Sequence, residues 1–232
     1  EDPVANQASF IMAPWCNRIR GGSIRLGGRT WSLASTEAED QHGPLHGEAW
    51  RRAWTTLDRG PQSIRLELDA RGPEGRRWPW AFVARLRYAI TTDGFEAEVS
   101  ATNHSNAPMP ASVGFHPYWQ RVLWSDGDRP IVSTTVGQGA HCVSGELAEV
   151  TLSGRLGAGS PLAEPLDHVF AGFGGGASIW WPASRVRAEI TCAGARELVV
   201  YAPGNGSGQR PHFSLEPQTG HGAGEGSTGA VL

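Results

Sequence analysis

The chain has 232 residues, a net charge of −3, and ten tryptophans, 31 glycines and 16 prolines. That length suits one all-β domain with a substantial core. Basic residues never cluster beyond short pairs such as Arg51-Arg52 and Arg76-Arg77, which excludes the electrostatic footprint of a nucleic-acid or anionic-membrane binder. No apolar run reaches the length of a membrane span, and the acidic start EDPVANQ lacks the basic and apolar regions of a signal peptide.

In chain order, the first clear period is SIRLELDA, where Ile64, Leu66 and Leu68 alternate with polar residues. Trp80, Phe82, Ala84, Leu86, Tyr88 and Ile90 then alternate along WAFVARLRYAI, and Phe95, Ala97, Val99 and Ala101 continue beyond Asp93-Gly94. Two such runs joined at Asp-Gly predict a hairpin. Val186, Ala188, Ile190 and Cys192 form a further strand pattern; ELVVYAP follows at 197–203 after a turn at 193–196. No segment sustains a 3.6-residue apolar period, so the expected fold class is all-β, an antiparallel β-sandwich in a single domain over 1–232. The tail GHGAGEGSTG at 220–229 reads as a loop or a frayed end.

Two proline-linked residues carry the chemistry. In GFHPYW at 114–119 and LEPQTG at 215–220, His116 and Glu216 each precede a proline. The proline ring steers the residue before it to extended backbone, so both should project from strand ends. Glu164-Pro165 repeats the dipeptide, but only around Glu216 do His212, Ser214 and Glu216 alternate with Phe213 and Leu215, placing the polar set on one strand face. Phe115, Tyr118 and Trp119 around the histidine supply the apolar faces a sugar-sized pocket needs.

Metal and nucleotide readings are weaker. His42, His46, Asp167 and His168 are candidate ligands without HExxH-type spacing, and the Gly-rich stretches 21–28 and 172–176 lack phosphate-loop spacing. No cofactor and no metal are expected. Cys16, Cys142 and Cys192 are odd in number, widely separated and without a CxxC pair, which fits a reducing cytoplasm. The triplets Asn103-His104-Ser105 and Asn205-Gly206-Ser207 match the glycosylation pattern but arise readily by chance.

GFHPYW, PWCNRIRGG at 14–22, PLHGEAW at 44–50, LDHVF at 166–170 and LEPQTG, in that order, resemble the aldose 1-epimerase (galactose mutarotase) family. The resemblance implies the large two-sheet supersandwich and interconversion of the α and β anomers of a free hexose. It also implies Glu216 as base and His116 as acid, with Arg18 and His46 contacting sugar hydroxyls or the ring oxygen and the Asp167 carboxylate accepting hydrogen bonds from ring hydroxyls. Tyr118, Trp119 and Trp15 become stacking candidates. Against the family pattern the chain reaches its NRI segment early and stops soon after LEPQTG, where a closing strand is expected. The expected partner is a small sugar, with no nucleic acid or membrane, acting on a monomer or homodimer. A hexose-6-phosphate epimerase, for which Arg51, Arg52, Arg76 and Arg77 are available, remains open, as does a non-catalytic carbohydrate-binding protein. A glycosidase would normally require two carboxylates.

Overall fold

The computed structural model describes residues 8–33, 43–134, 136, 139–143, 146–150, 166–202, 211–223 and 229–232, with backbone alone for 139–150. His42, Glu164, the Asn205 triplet, the Cys142 side chain and the middle of the Gly-rich tail lie outside the described residues. Among the described residues the regular structure is strand, apart from two short 3-10 turns at Arg20–Gly22 and Ala49–Arg51. Among the described residues no helix is long and apolar enough to cross a membrane.

The residues group into two compact units, one over Phe10–Gly114 and Gly220–Leu232, the other over Phe115–Thr219. The first holds β1 (Ser9–Met12), the hairpin β2 (Ser23–Leu26) and β3 (Arg29–Ser32), and the four-stranded meander β4 (Thr55–Arg59), β5 (Ser63–Ala70), β6 (Phe82–Thr91) and β7 (Gly94–Asn103). In the meander Leu66 faces Leu86 and Val99, and Leu68 faces Ala84 and Ala101. All the alternating apolar residues therefore share one face, as period two requires. The β6–β7 turn sits one residue earlier than Asp93-Gly94: Gly94 already pairs with Thr91, and the Asp93 amide donates to Thr91 Oγ1 at 3.2 Å. The Thr91 hydroxyl competes for the turn amide and moves the reversal onto Thr92-Asp93.

Tryptophans fill much of this unit. Trp15 stacks on Trp78 at 4.8 Å, Trp78 meets Trp80 at 5.3 Å, and Trp80 meets Trp31 at 5.0 Å. Trp15 and Trp78 are fully buried, so Trp15 is a core residue rather than a sugar platform. The short strand β8 (Pro110–Ala111) pairs with the last strand of the chain, Ala230–Val231. Two of the residues beyond LEPQTG are thus paired in a strand.

The second unit is a sandwich. One sheet orders β9 (Gly114–Gln120), β17 (His212–Gln218), β16 (Glu197–Ala202), β13 (Leu166–Ala171), β11 (Gly139–Val143) and β12 (Glu146–Val150). The other holds β10 (Ile131–Thr134), β14 (Gly176–Trp181) and β15 (Val186–Thr191); the two-residue closing strand is β18. Val132, Ile179 and Trp181 from the small sheet pack with Leu166, Phe170, Leu198, Val200, Phe213 and Leu215 from the large one. Val186, Ala188, Ile190 and Cys192 pack against this core as their alternation predicts. Alternation then turns the intervening residues of β13, β16 and β17 to the opposite face, where the polar groups stand.

Candidate active site

On β17, Phe213 and Leu215 point into the core, so His212, Ser214, Glu216 and Gln218 occupy the other face. Ser214 lies opposite Tyr201 of β16, which lies opposite Asp167 of β13. Directly opposed antiparallel residues share a face, so Asp167, Tyr201 and Ser214 form a row across three strands. At the strand spacing of about 4.8 Å, Asp167 stands roughly 10 Å from Ser214 along that row.

His116 joins this face from β9. Its Nε2 is 3.0 Å from Glu216 Oε1, and both side chains are almost completely buried. The second ring nitrogen, Nδ1, is 3.2 Å from the Ser214 hydroxyl oxygen, which donates to the Pro117 carbonyl at 2.6 Å. Proline in a sheet interior removes a ladder donor; here a side-chain hydroxyl takes up the carbonyl beside it. Both His116 and Glu216 sit inside their strands rather than at the ends, because each X-Pro step is accommodated as extended backbone within β9 and β17. Tyr118, two residues along from His116 and on the same face, lies 4.7 Å from its ring and packs edge-on to His212 at 5.0 Å.

Trp119 departs from expectation. Adjacent residues on a strand point to opposite faces, and Trp119 packs against the hydrophobic core of the second unit, 6.4 Å from Trp181. The structure brings Tyr118 to His116 and takes Trp119 away from it.

Arg18 and His46 meet in the first unit. Arg18 pairs with Leu45 in an isolated antiparallel bridge, and its Nη1 donates to the Gly43 carbonyl at 3.1 Å. The His46 amide donates to the Asn17 carbonyl at 3.0 Å, and its Nδ1 accepts from the Asn17 amide at 3.1 Å. An accepting Nδ1 places the ring hydrogen on Nε2. His46 is buried, lies edge-on to Phe10 at 5.7 Å and has φ of 56°. A left-handed backbone at a buried histidine is uncommon and persists only where its surroundings hold it. Gly47 next to it must be glycine, since a Cβ there would fall on the Ala13 carbonyl. That close approach explains the LHG sequence locally.

The arginine pairs are tied into the framework of the same unit. Arg52 bonds Glu48 at 3.2 Å and the Asp69 carbonyl at 3.2 Å, Arg76 bonds the Ala70 and Arg71 carbonyls, and Arg51 lies 4.1 Å over the Trp50 ring. Burial pushes the Glu48 carboxyl above its ordinary 4.5, against the opposing pull of the Arg77 amide and the Arg52 charge. Ser214 and Tyr201 emerge only here. Ser214 belongs to the polar alternation of β17, but nothing in the sequence says what it touches; Tyr201 reaches the site face through strand register alone.

The profile of the aldose 1-epimerase family matches residues 2–222. The uncharacterized protein YihR of Escherichia coli (strain K12) is 27% identical over 119 residues, covering 51% of this chain and 37% of that relative. Among solved structures, a galactose mutarotase-like protein from Clostridium acetobutylicum has a TM-score of 0.80 at 19% identity, over 97% of this chain and 74% of its own. Another from Lactobacillus casei ATCC 334 has a TM-score of 0.75 at 17% identity, over 97% and 80%. At such identities the likeness speaks for the fold, an all-β, galactose mutarotase-like arrangement of antiparallel sheets. With the family profile spanning nearly every residue from the first strand to LEPQTG, this chain belongs to the aldose 1-epimerase family.

Proposed function

We propose that the protein is a cytoplasmic, metal-independent aldose 1-epimerase that interconverts the α and β anomers of a free hexose. The observation that carries this reading is the buried His116–Glu216 contact at 3.0 Å, an imidazole and a carboxylate placed to exchange protons with two neighbouring oxygens. A bound sugar replaces that contact with two. Protonated His116 gives its Nε2 hydrogen to the ring oxygen as the bond from C1 to that oxygen breaks, while Glu216 takes the proton of the anomeric hydroxyl and its electron pair forms the aldehyde. Rotation about C1–C2 and closure on the other carbonyl face reverse both transfers. Atoms and charge balance, and two side chains carry both proton transfers, so exhaustive chelation should leave the rate unchanged.

Asp167 accepts hydrogen bonds from ring hydroxyls and Tyr118 offers a ring face. A free hexose is favoured over a 6-phosphate because Arg51, Arg52 and Arg76 are engaged by Trp50, Glu48 and backbone carbonyls. The test is polarimetry of freshly dissolved α-glucose, α-galactose and their 6-phosphates with wild type, Glu216→Gln and His116→Asn. Each substitution should lower turnover on a free hexose by roughly 100-fold or more. Wild-type turnover by folded Glu216→Gln protein would leave a sugar-binding role as the better account.

A further inference from the structure

His116 shows Nε2 to Glu216, and the group that fixes this orientation is neither of the two. Ser214 is fully buried, with its hydroxyl oxygen 2.6 Å from the Pro117 carbonyl and 3.2 Å from His116 Nδ1. A serine hydroxyl has one proton to give and lone pairs to receive, and a carbonyl can only accept. The hydroxyl proton therefore goes to Pro117, so toward His116 the oxygen acts as acceptor and Nδ1 must carry a hydrogen. With Nδ1 protonated, Nε2 and the Glu216 carboxylate would be two lone pairs 3.0 Å apart unless a proton sits between them.

We propose that Ser214 is a positioning residue that holds His116 in its Nδ1–H form, reserving Nε2 as the proton-transfer atom and making His116 and Glu216 a unit that carries one shared proton. The hydrogen-bond argument stands on its own; its catalytic consequence rests on the epimerase reading above. In the resting pair the proton is on Nε2, and His116 is an imidazolium facing a carboxylate. After ring opening the imidazolium has given that proton to the ring oxygen and Glu216 has received one from the anomeric hydroxyl. The pair still holds one proton, now on the carboxyl, so the return closure needs no exchange with solvent.

Removing the hydroxyl changes the acid. Without an acceptor at Nδ1, the neutral ring with hydrogen on Nε2 becomes the favoured partner of the Glu216 carboxylate. Giving up that hydrogen would leave an imidazolate anion, so the neutral ring is a far weaker acid than an imidazolium. Ser214→Ala should lower kcat about 10- to 100-fold, the range typical of partners that orient a functional histidine, with KM little changed. Ser214→Thr, which keeps the hydroxyl, should recover most of the rate.

The deciding measurement is nitrogen-15 NMR of the His116 ring in the unliganded protein. Wild type should show Nδ1 protonated, and Ser214→Ala should shift it to the unprotonated type. An unprotonated Nδ1 in wild type, or wild-type kcat in folded Ser214→Ala, would overturn the proposal. Absence of anomerisation by wild type on any hexose would sink the epimerase reading instead, while the nitrogen spectra would still decide the role of Ser214.

Discussion

His116 Nε2 and Glu216 Oε1 stand 3.0 Å apart although 100 residues separate them in the chain, because β9 and β17 are neighbours in one sheet. Both side chains are withdrawn from water, where a proton shared between nitrogen and oxygen is held more strongly than at the surface. Groups so coupled should fail together.

The double variant His116→Asn, Glu216→Gln is expected to lose about as much turnover as the worse single variant, well short of the product of the two effects, as for residues acting as a unit. Single-anomer rates for the four proteins, with folding checked by circular dichroism, make the comparison. Multiplicative losses would mean that the two groups act in separate steps. Glu164→Gln, at the other Glu-Pro pair, should be nearly silent.

Arg76 anchors a turn through two carbonyls at 3.1 and 3.0 Å, so Arg76→Ala should cost about 1 kcal/mol of stability without altering turnover on a free hexose. Arg77→Ala keeps the backbone amide bond to Glu48 at 2.6 Å. Urea unfolding and a substrate panel test both. A 6-phosphate preference that disappears in these variants would reverse the substrate assignment.

Glu48 is expected to tilt the pH dependence of stability. Its carboxyl is raised above 4.5 by burial, so the folded state retains a proton that the unfolded chain releases. The associated stability is complete below about pH 4.5 and is lost as pH rises through the raised folded-state value. Relative to Glu48→Gln, wild type should become progressively less stable on going from acid to neutral pH. Urea midpoints for both proteins across that window decide it; a constant difference would contradict the assignment.

Trp78 is stacked on Trp15, meets Trp80 at a tilt, and is fully buried. Trp78→Ala should destabilise by about 3–5 kcal/mol through lost apolar contact and the cavity left behind. Trp78→Phe should cost much less, because it keeps a ring and removes an indole N–H that is buried without a partner. Thermal melts of the two variants separate these effects, and equal losses would argue that the stack contributes little.

Several strands and the two proline-linked candidates, His116 and Glu216, were legible in the sequence. Period-two alternation at 64–68, 82–90, 95–101 and 186–192 marks strands because a pleated backbone turns every second side chain to one face, although Ile90 and Phe95 at the hairpin end of that face are exposed. The five motifs carry the family through residue identity. Tertiary structure decided which side chains share a place. Trp119 sits beside Tyr118 in the chain yet packs into the core, since neighbours on a strand face opposite ways. Tyr201 stands between Asp167 and Ser214 only through the register of three strands distant in sequence. Ser214 is an ordinary strand residue until the fold sets its hydroxyl between the Pro117 carbonyl and His116 Nδ1. Local sequence sets the direction of each side chain along its own strand; long-range backbone pairing sets what it meets there.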